Sequence, residues 1–411
     1  TMLKIHQLSH ATALAIWHES ARVGQENSKL SKALAKWAYQ SESTGRLSGM
    51  LQLSEPRMVV SNKDLDSNPW LLNCKNGTLN LRTATLQPHN REDLITRMVQ
   101  ANYDPEAKCP RWLEFIETVT DGDVGLEVFL QKAIGYTLTG STDNHAMFIL
   151  HGPGANGKTT FAQALRMLLA EYTTTIDIGV LMSSFNDPEA PSPFIASLEG
   201  MRLALADEIP EGRHLAEATI KRLTGGDRIA ARWLHENQRE FDPSHKLWML
   251  GNHVPEISET TQAIWRRLKL LPFNKTLEEK DQRSMSDLLE EFRQELDGIL
   301  AWAVVGCQLW LGAGRKLEMP ESVRRATAEY RSEQDTFMTW FREECETSRE
   351  YNCYKKDVFK NWQEWCKATG EARSMKRTQR WLSGRILKFG TIGSGGHADE
   401  KFEGMRLRGR T

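Results

Sequence analysis

A glycine-rich stretch with a lysine and two threonines lies between an apolar run and a run with helical spacing. The segment 150–160 reads LHGPGANGKTT, and its residues 152–159 fit the pattern GxxxxGK(S/T). Glycines let the backbone wrap closely around a chain of phosphates, and the N–H groups at a helix start attract anions. At this spacing, Lys158 reaches the β- and γ-phosphates and the Thr159 hydroxyl binds Mg²⁺. We therefore predict a site for ATP and Mg²⁺.

The context of this segment, the phosphate loop (152–159), favours a ligand site over a plain glycine-rich turn. The apolar run 146–150 has the length and composition of a buried parallel strand. The run 161–170 carries apolar residues at helical spacing. A strand-to-helix loop is the setting in which this motif binds phosphate, so a turn without a ligand is the weaker alternative. The residues predicted to contact the nucleotide are Gly152, Pro153, Gly154, Ala155, Asn156, Gly157, Lys158, Thr159 and Thr160.

Two acidic residues end the second apolar run of this region. The segment 201–210 reads MRLALADEIP and has the pattern of a strand followed by Asp207 and Glu208. The carboxyl ends of parallel strands meet at one edge of a sheet, beside a phosphate loop. We predict that Asp207 helps to bind Mg²⁺ and that Glu208 orients or deprotonates the attacking water. The alternative is a strand end with two solvated acids.

Polar and basic residues mark two further apolar runs. The run 245–255, HKLWMLGNHVP, ends near Asn252, whose amide can hydrogen-bond both a γ-phosphate and the lytic water. The alternative is an asparagine that only makes a turn. The run 263–273, AIWRRLKLLPF, is interrupted by Arg266 and Arg267. Paired arginines on a half-buried segment need an anion, and the candidates are acids of the same chain or another subunit's γ-phosphate.

A charged insertion separates the second and third apolar runs. After the turn at 224–227, the segment RIAARWLHENQREFDP predicts two short strands around 236–238. Such a hairpin projects from the sheet and carries Arg232, His235 and Arg239 near its tip. The alternative is a solvated charged hairpin without a ligand.

Composition and charge limit the class of protein. The chain has 411 residues, a formal net charge of −1 and six cysteines without zinc-like spacing. Scattered cysteines of this kind predict reduced thiols in a cytoplasmic protein, in the cytosol of a bacterium or of a host cell. The longest uncharged stretch, 298–314, is shorter than the ~20 residues of a membrane span, so we predict a buried helix and no membrane segment.

The last 61 residues differ in charge from the rest of the chain. Residues 351–411 hold 14 Lys and Arg against 6 Asp and Glu. Their pattern predicts two helices, a strand, a Gly-rich loop and a second strand, which is typical of a winged helix that binds a DNA groove or phosphates. The alternative is a charged helical cap in which Trp362, Trp365 and Trp381 form a core.

The ordered motifs resemble those of a known family. GPGANGKTT, RLALADE, KRLTGGD, LWMLGNHVP and IWRRLKLLPF are similar, in order and spacing, to five motifs of superfamily 3 helicases, the ring-forming AAA+ motors of DNA viruses, phages and plasmids. The closest likeness is to the phage and plasmid primase–helicases with a poxvirus-type helicase domain. It covers residues from about 65 to 275 strongly.

The resemblance implies roles for particular residues. Asn252 matches the polar sensor, and Lys221 matches a basic residue that contacts the neighbour's nucleotide. Arg267 matches the arginine finger best, with Arg266 as the alternative. The hairpin matches one that grips single-stranded DNA in the ring channel, although Leu234 replaces the lysine that members often carry before the histidine. The predicted catalytic residues are Lys158, Glu208, Asn252, Arg267, Arg266 and Lys221.

The resemblance also implies an architecture and an activity. We expect an α/β fold with a mostly helical, collar-type domain carrying a short β-hairpin region (1–140), an AAA+ ATPase domain with a parallel central sheet (141–315) and a winged-helix-like domain (325–411). The expected activity is ATP-driven 3′→5′ unwinding of single-stranded and forked DNA in replication of a phage, plasmid or other mobile element. The expected assembly is a homo-oligomeric ring, a hexamer, which works with a primase or polymerase.

Other functions stay open from the sequence. One is an origin-binding or origin-melting initiator ATPase, and another is a P-loop kinase of small molecules. Because a primase domain does not fit into the first 65 residues, the chain is expected to be a helicase-only member or the helicase part of a longer primase–helicase.

Overall fold

The computed structural model divides the chain into two compact units, residues 1–65 and 66–411. The domain boundaries predicted near 140 and 320 stay predictions. The structure describes residues 2–54, 60–61, 63–183, 193–209, 211–233, 237–257, 262–276, 283–387, 392–394 and 401–409.

Helices and strands alternate through most of the second unit, whereas the first is helical. The helices are α1 (Met2–Val23), α2 (Ser28–Ser41), α3 (Thr44–Ser54), α4 (Pro110–Thr120), α5 (Val124–Leu138), α6 (Lys158–Leu169), α7 (Ile178–Leu181), α8 (Pro193–Ala196), α9 (Glu217–Thr224), α10 (Gln262–Trp265), α11 (Met285–Gln294), α12 (Leu296–Gly312), α13 (Glu321–Glu333), α14 (Thr336–Glu344), α15 (Lys355–Ala368), α16 (Ala372–Met375) and α17 (Gln379–Ile386). The strands are β1 (Leu71–Cys74), β2 (Gly77–Asn80), β3 (Thr85–Gln87), β4 (Met147–His151), β5 (Thr173–Thr175), β6 (Leu203–Ala206), β7 (Ile229–Ala231), β8 (Arg239–Phe241), β9 (Lys246–Gly251), β10 (Leu268–Pro272), β11 (Cys345–Tyr354), β12 (Ile392–Ser394) and β13 (Lys401–Leu407).

The first unit consists of α1, α2 and α3, which confirms the predicted helical amino-terminal region. Asn27 caps α2, because its side chain accepts a hydrogen bond from the Leu30 N–H at 3.0 Å. Ser20 and Ser31 tie α1 to α2, since each hydroxyl donates to the other residue's carbonyl at 2.8 and 2.9 Å.

A five-stranded parallel sheet forms the centre of the second unit, as the sequence predicted. The strand order is β10-β4-β9-β6-β5, and all four neighbouring pairs are parallel. Every residue of β6 and β9 is buried, which explains their nearly continuous apolar sequences. Strand β9 pairs with β4 on one side and with β6 on the other. The carboxyl ends of β4, β9 and β6 therefore lie side by side.

Two helices flank the sheet and cross each other through glycines. The uncharged stretch 298–314 lies mostly in α12, whose buried residues confirm the predicted buried helix. A Cβ on Gly135 of α5 would overlap the Cys307 backbone N of α12, and a Cβ on Gly306 would overlap the Gln131 carbonyl of α5. The two backbones therefore touch directly. Within the described part of the chain, no helix has the length and apolar character needed to cross a bilayer.

Gly135→Ala is expected to destabilise the fold by about 2–3 kcal/mol, because the added methyl forces the α5–α12 crossing apart. Gly312→Ala is the matched control in α12, since a Cβ there meets no atom within 4 Å. Alanine is the better helix former, so Gly312→Ala should be neutral or slightly stabilising. Urea unfolding measures both, and equal midpoints for the two variants would contradict the crossing argument.

The charged insertion and the carboxy-terminal segment form sheets of their own. Strands β7 and β8 follow β6 and precede β9 in the sequence. They pair antiparallel in a sheet of their own, with Ala231 opposite Arg239. The carboxy-terminal sheet has the order β11-β13-β12. Beside it, Phe337, Trp340 and Trp362 pack in a separate core, against which Trp365 and Trp381 lie partly buried.

Candidate nucleotide-binding site

The phosphate loop connects β4 to α6, and two of its glycines are sterically required. Gly152 passes beside the backbone after β10, so a Cβ there would overlap the Phe273 carbonyl. Gly157 has φ +82° and would place a Cβ 2.6 Å from Val119 Cγ1 of α4. The loop therefore packs against its neighbours at Gly152 and Gly157, whereas residues 153–155 are exposed to solvent. This combination fits a backbone cradle for a bound anion.

The Lys158 ammonium lies at the centre of the loop and is 6% exposed. It donates to the carbonyls of Gly152 (2.8 Å) and Pro153 (3.0 Å). Its other acceptors are the side-chain amide oxygens of Asn156 (2.8 Å) and Asn252 (3.0 Å). Burial lowers the pKa of Lys158. All four oxygens are neutral, so phosphate oxygens can replace them with a gain in charge pairing.

Asn252 comes from the neighbouring strand, and its place beside Lys158 is a tertiary contact. It follows the carboxyl end of β9, as Lys158 follows that of β4. The parallel register, with His151 opposite Gly251, brings both ends level. The side-chain oxygen of Asn252 therefore lies 3.0 Å from the lysine ammonium.

The two predicted acids lie at the same edge of the sheet. Asp207 and Glu208 follow β6, which pairs with β9, and the Ile209 N–H donates to the Leu250 carbonyl at 3.3 Å. Desolvation raises the pKa of Asp207, Arg166 lowers it, and the adjacent Glu208 raises it again. Glu208 has φ +58°, a left-handed conformation that a non-glycine residue seldom adopts. Strained backbone of this kind is concentrated at functional sites.

The arginine pair is divided between surface and interior. Arg267 is 9% exposed and donates to Thr224 Oγ1 (3.2 Å) and to the Ala263 carbonyl (2.6 Å). Burial, with the charge of Arg266, lowers the pKa of Arg267. Arg266 is exposed. A role in another subunit's site stays a prediction for both arginines. Arg267 links its own segment to α9, the helix that carries Lys221.

The predicted DNA-contacting residues differ in their surroundings. Arg232 is exposed directly after β7. Arg239 begins β8, where it is half-buried and forms an ion pair with Glu199 at 3.1 Å. That ion pair was not predicted and makes Arg239 less available to a ligand. His235 lies outside the described residues.

Sequence reasoning missed one charged residue of the site. Arg166 lies eight residues after Lys158 in α6, and its charge acts on Asp207. The spacing of eight residues, about two helical turns, was the available signal.

Two family models match the chain. The model described as "D5 N terminal like" matches residues 2–121. The model described as a family of unknown function, DUF5906, matches residues 150–267, which include the phosphate loop, the acids, Asn252 and both arginines.

Curated proteins that are similar to this chain come from viruses. A candidate helicase of Acanthamoeba polyphaga mimivirus, L207/L206, is 24% identical over 80% of this chain and 36% of its own length. A candidate helicase of Invertebrate iridescent virus 6, 184R, is 24% identical over 79% of this chain and 37% of its own length. A candidate primase of African swine fever virus, C962R, is 26% identical over 50% of this chain and 22% of its own length. The chain therefore spans little more than a third of the first two relatives.

A solved structure described as the A form apo structure of the NrS-1 C terminal region is 11% identical, covering 87% of this chain and 90% of that chain with a TM-score of 0.49. The two family models and the viral relatives agree with the motif order in the sequence. These matches relate the chain to the phage and viral primase–helicases.

Proposed function

We propose that this chain is an ATP-hydrolysing DNA helicase of superfamily 3, with an AAA+ sheet and a ring-shaped homo-oligomeric assembly, a hexamer. The observation that carries the proposal is the 3.0 Å contact between Lys158 Nζ and Asn252 Oδ1. It brings a phosphate-binding lysine and a polar residue from two parallel strands to one point. The names of the mimivirus and iridescent virus relatives support the helicase activity.

The residues at the sheet edge account for the hydrolysis step. When ATP binds, Lys158 would exchange the Asn156 and Asn252 oxygens for phosphate oxygens, which frees the Asn252 amide to contact the γ-phosphate. Glu208 would orient the attacking water and accept its proton at a carboxylate oxygen. The hydroxyl of Thr159 and the carboxylate of Asp207 are the oxygen ligands that Mg²⁺ prefers. When bound, Mg²⁺ neutralises charge on the β- and γ-phosphates.

The proposed site is completed by a second copy of the chain. Exposed Arg266 would reach the neighbour's γ-phosphate, with Lys221 contributing from α9. A positive charge supplied in this way stabilises the charge that develops during phosphoryl transfer. In this arrangement, hydrolysis depends on assembly of the ring. Hydrolysis in one subunit would then influence the site of the next subunit.

The DNA-contacting parts of the proposal are the hairpin β7–β8 and the carboxy-terminal basic region. In the sequence, the hairpin follows strand β6, which leads to the two acids, and precedes strand β9, which leads to Asn252. A change at the nucleotide would therefore be transmitted to the hairpin through these two strands. In the carboxy-terminal region, α14, β11, α15, α16, α17, β12 and β13 follow one another, and this order supports the proposed winged helix. Exposed Lys376, Arg377 and Arg380 cluster at the start of α17, where a recognition helix would meet phosphates.

The experiment that tests the proposed function measures ATP hydrolysis and fork unwinding on size-fractionated protein. We expect single-stranded DNA to stimulate hydrolysis and the ring fraction to displace a strand 3′→5′ from a forked duplex. Stimulated hydrolysis without strand displacement would instead support an initiator ATPase that melts or loads DNA. Phosphorylation of a small molecule would support a kinase.

Arg232→Ala is expected to uncouple hydrolysis from unwinding, because the side chain is exposed directly after β7. Loss of one phosphate contact should lower the salt slope of single-strand binding by about 0.7. Arg228→Ala is the matched control on the same hairpin, since Arg228 lies 3.5 Å from Glu240 and 3.6 Å from Asp242. Filter binding over a salt series measures the slopes, and identical slopes for the two variants would remove the hairpin from the DNA contact.

A further inference from the structure

Helix α13 contacts two separate parts of the proposed catalytic machinery through one side chain. Tyr330 is 2% exposed, and its hydroxyl donates to the carbonyl of Pro255, three residues after Asn252. Its ring packs edge-to-face on Trp265 at a centroid distance of 5.2 Å, directly before Arg266. One buried tyrosine therefore touches the segment after the sensor and the segment before the exposed arginine.

Further hydrogen bonds fasten the same helix to the sheet. The Gln334 side-chain oxygen, just after α13, accepts from the Ile257 N–H at 2.8 Å. The Leu270 N–H at the edge strand β10 donates to Thr327 Oγ1 at 3.1 Å. These polar groups have little access to water, so breaking either bond leaves a backbone donor without its partner.

The loop held by α13 also connects to the segment that follows the two acids. The Leu215 N–H donates to the Glu256 carbonyl at 2.8 Å, and the Glu256 N–H donates to the Arg213 carbonyl at 2.8 Å. Residues 252–257 thus lie between α13 on one side and the chain leaving Glu208 on the other. A shift of this loop would move Asn252 relative to both Lys158 and Glu208.

We propose that Tyr330 and Gln334 are positioning residues, which hold the loop 252–257 so that the Asn252 amide meets the γ-phosphate. The inference rests on the proposed function and adds to it a link from the carboxy-terminal basic region. Asp335, next to Gln334, caps α14 and forms an ion pair with Arg385 of α17. Through this ion pair, the carboxy-terminal basic region contacts the residue that follows Gln334.

The test compares Tyr330→Phe with Tyr103→Phe in the full chain, using ATP hydrolysis stimulated by an oligo-dT strand. Tyr103 is 8% exposed and donates to the Ala84 carbonyl at 3.3 Å, so Tyr103→Phe also removes one hydroxyl-to-carbonyl bond, which is part-buried. Tyr330→Phe retains the ring packing on Trp265. We expect Tyr330→Phe to lower kcat about tenfold and to leave KM for ATP within about twofold of the wild-type value. A misplaced Asn252 amide stabilises the transition state less well. Tyr103→Phe should retain kcat.

A double-mutant cycle separates positioning from simple loss of stability. In an Asn252→Ala background, Tyr330→Phe should cause no further loss of kcat, because the residue it positions is gone. Gln334→Ala provides a second variant with the same expectation if Tyr330→Phe folds poorly. Wild-type kcat in both variants, or losses that add to that of Asn252→Ala, would overturn the inference. A wild-type protein without ATPase activity would instead overturn the proposed function.

Discussion

Glu208→Gln is expected to bind ATP with nearly normal affinity and to hydrolyse it about 10²–10⁴-fold more slowly. Glutamine keeps the size of the side chain but cannot accept a proton from water. Glu208 lies at the sheet edge after β6, and its left-handed backbone conformation, φ +58°, sets the direction of the side chain. The expected loss therefore lies in kcat and not in binding, which is the pattern of a group that acts only in the transition state.

Two comparisons make this prediction specific. Glu211→Gln removes an exposed carboxylate from the same loop, three residues further on, and should hydrolyse ATP at the wild-type rate. Lys158→Ala should lose nucleotide binding or turnover, since its ammonium contacts three oxygens of the phosphate loop and the Asn252 side chain. Phosphate release and binding of a fluorescent ATP analogue measure the two effects. Near-normal turnover in Glu208→Gln would exclude Glu208 as the base.

Arg266→Ala is expected to assemble and bind ATP but to lose hydrolysis by about 10³-fold or more, the usual effect of removing an arginine supplied across an interface. Its side chain is exposed, whereas Arg267 is 9% exposed and bonded to Thr224 and Ala263. Arg267→Ala should therefore lower the thermal unfolding midpoint as well as activity. Specific activity of the wild type should rise with protein concentration as rings form.

Mixing variants tests whether the arginine acts across the interface. Lys158→Ala subunits have an intact Arg266 and a defective pocket, and Arg266→Ala subunits have the reverse. Rings that contain both should regain part of the ATPase activity, because some interfaces then pair a working pocket with a working arginine. No recovery in mixtures that demonstrably co-assemble, or full activity in a dilute monomer, would contradict a role in trans. Recovery with Arg267→Ala but not with Arg266→Ala would reverse the assignment of the pair.

Local features of the site could be predicted from the sequence because they depend on residues close together in the chain. The phosphate loop needs glycine where Gly152 and Gly157 touch packed backbone and side chains, and it needs a strand before it and a helix after it. The ends of β6 and β9, before Asp207 and Asn252, could be predicted because each strand is a largely apolar run of four to six residues. The parallel sheet then follows, since alternating strands and helices place successive strand ends at one edge.

Contacts between distant segments were decided by the tertiary structure. Arg266 and Arg267 are neighbours in the sequence, yet the chain turns between α10 and β10 so that one faces water and the other Thr224. The Arg239–Glu199 ion pair joins residues forty positions apart, and the Tyr330–Pro255 bond joins residues seventy-five apart. No local pattern specifies such partners, because which surfaces meet depends on how all the elements pack into one core.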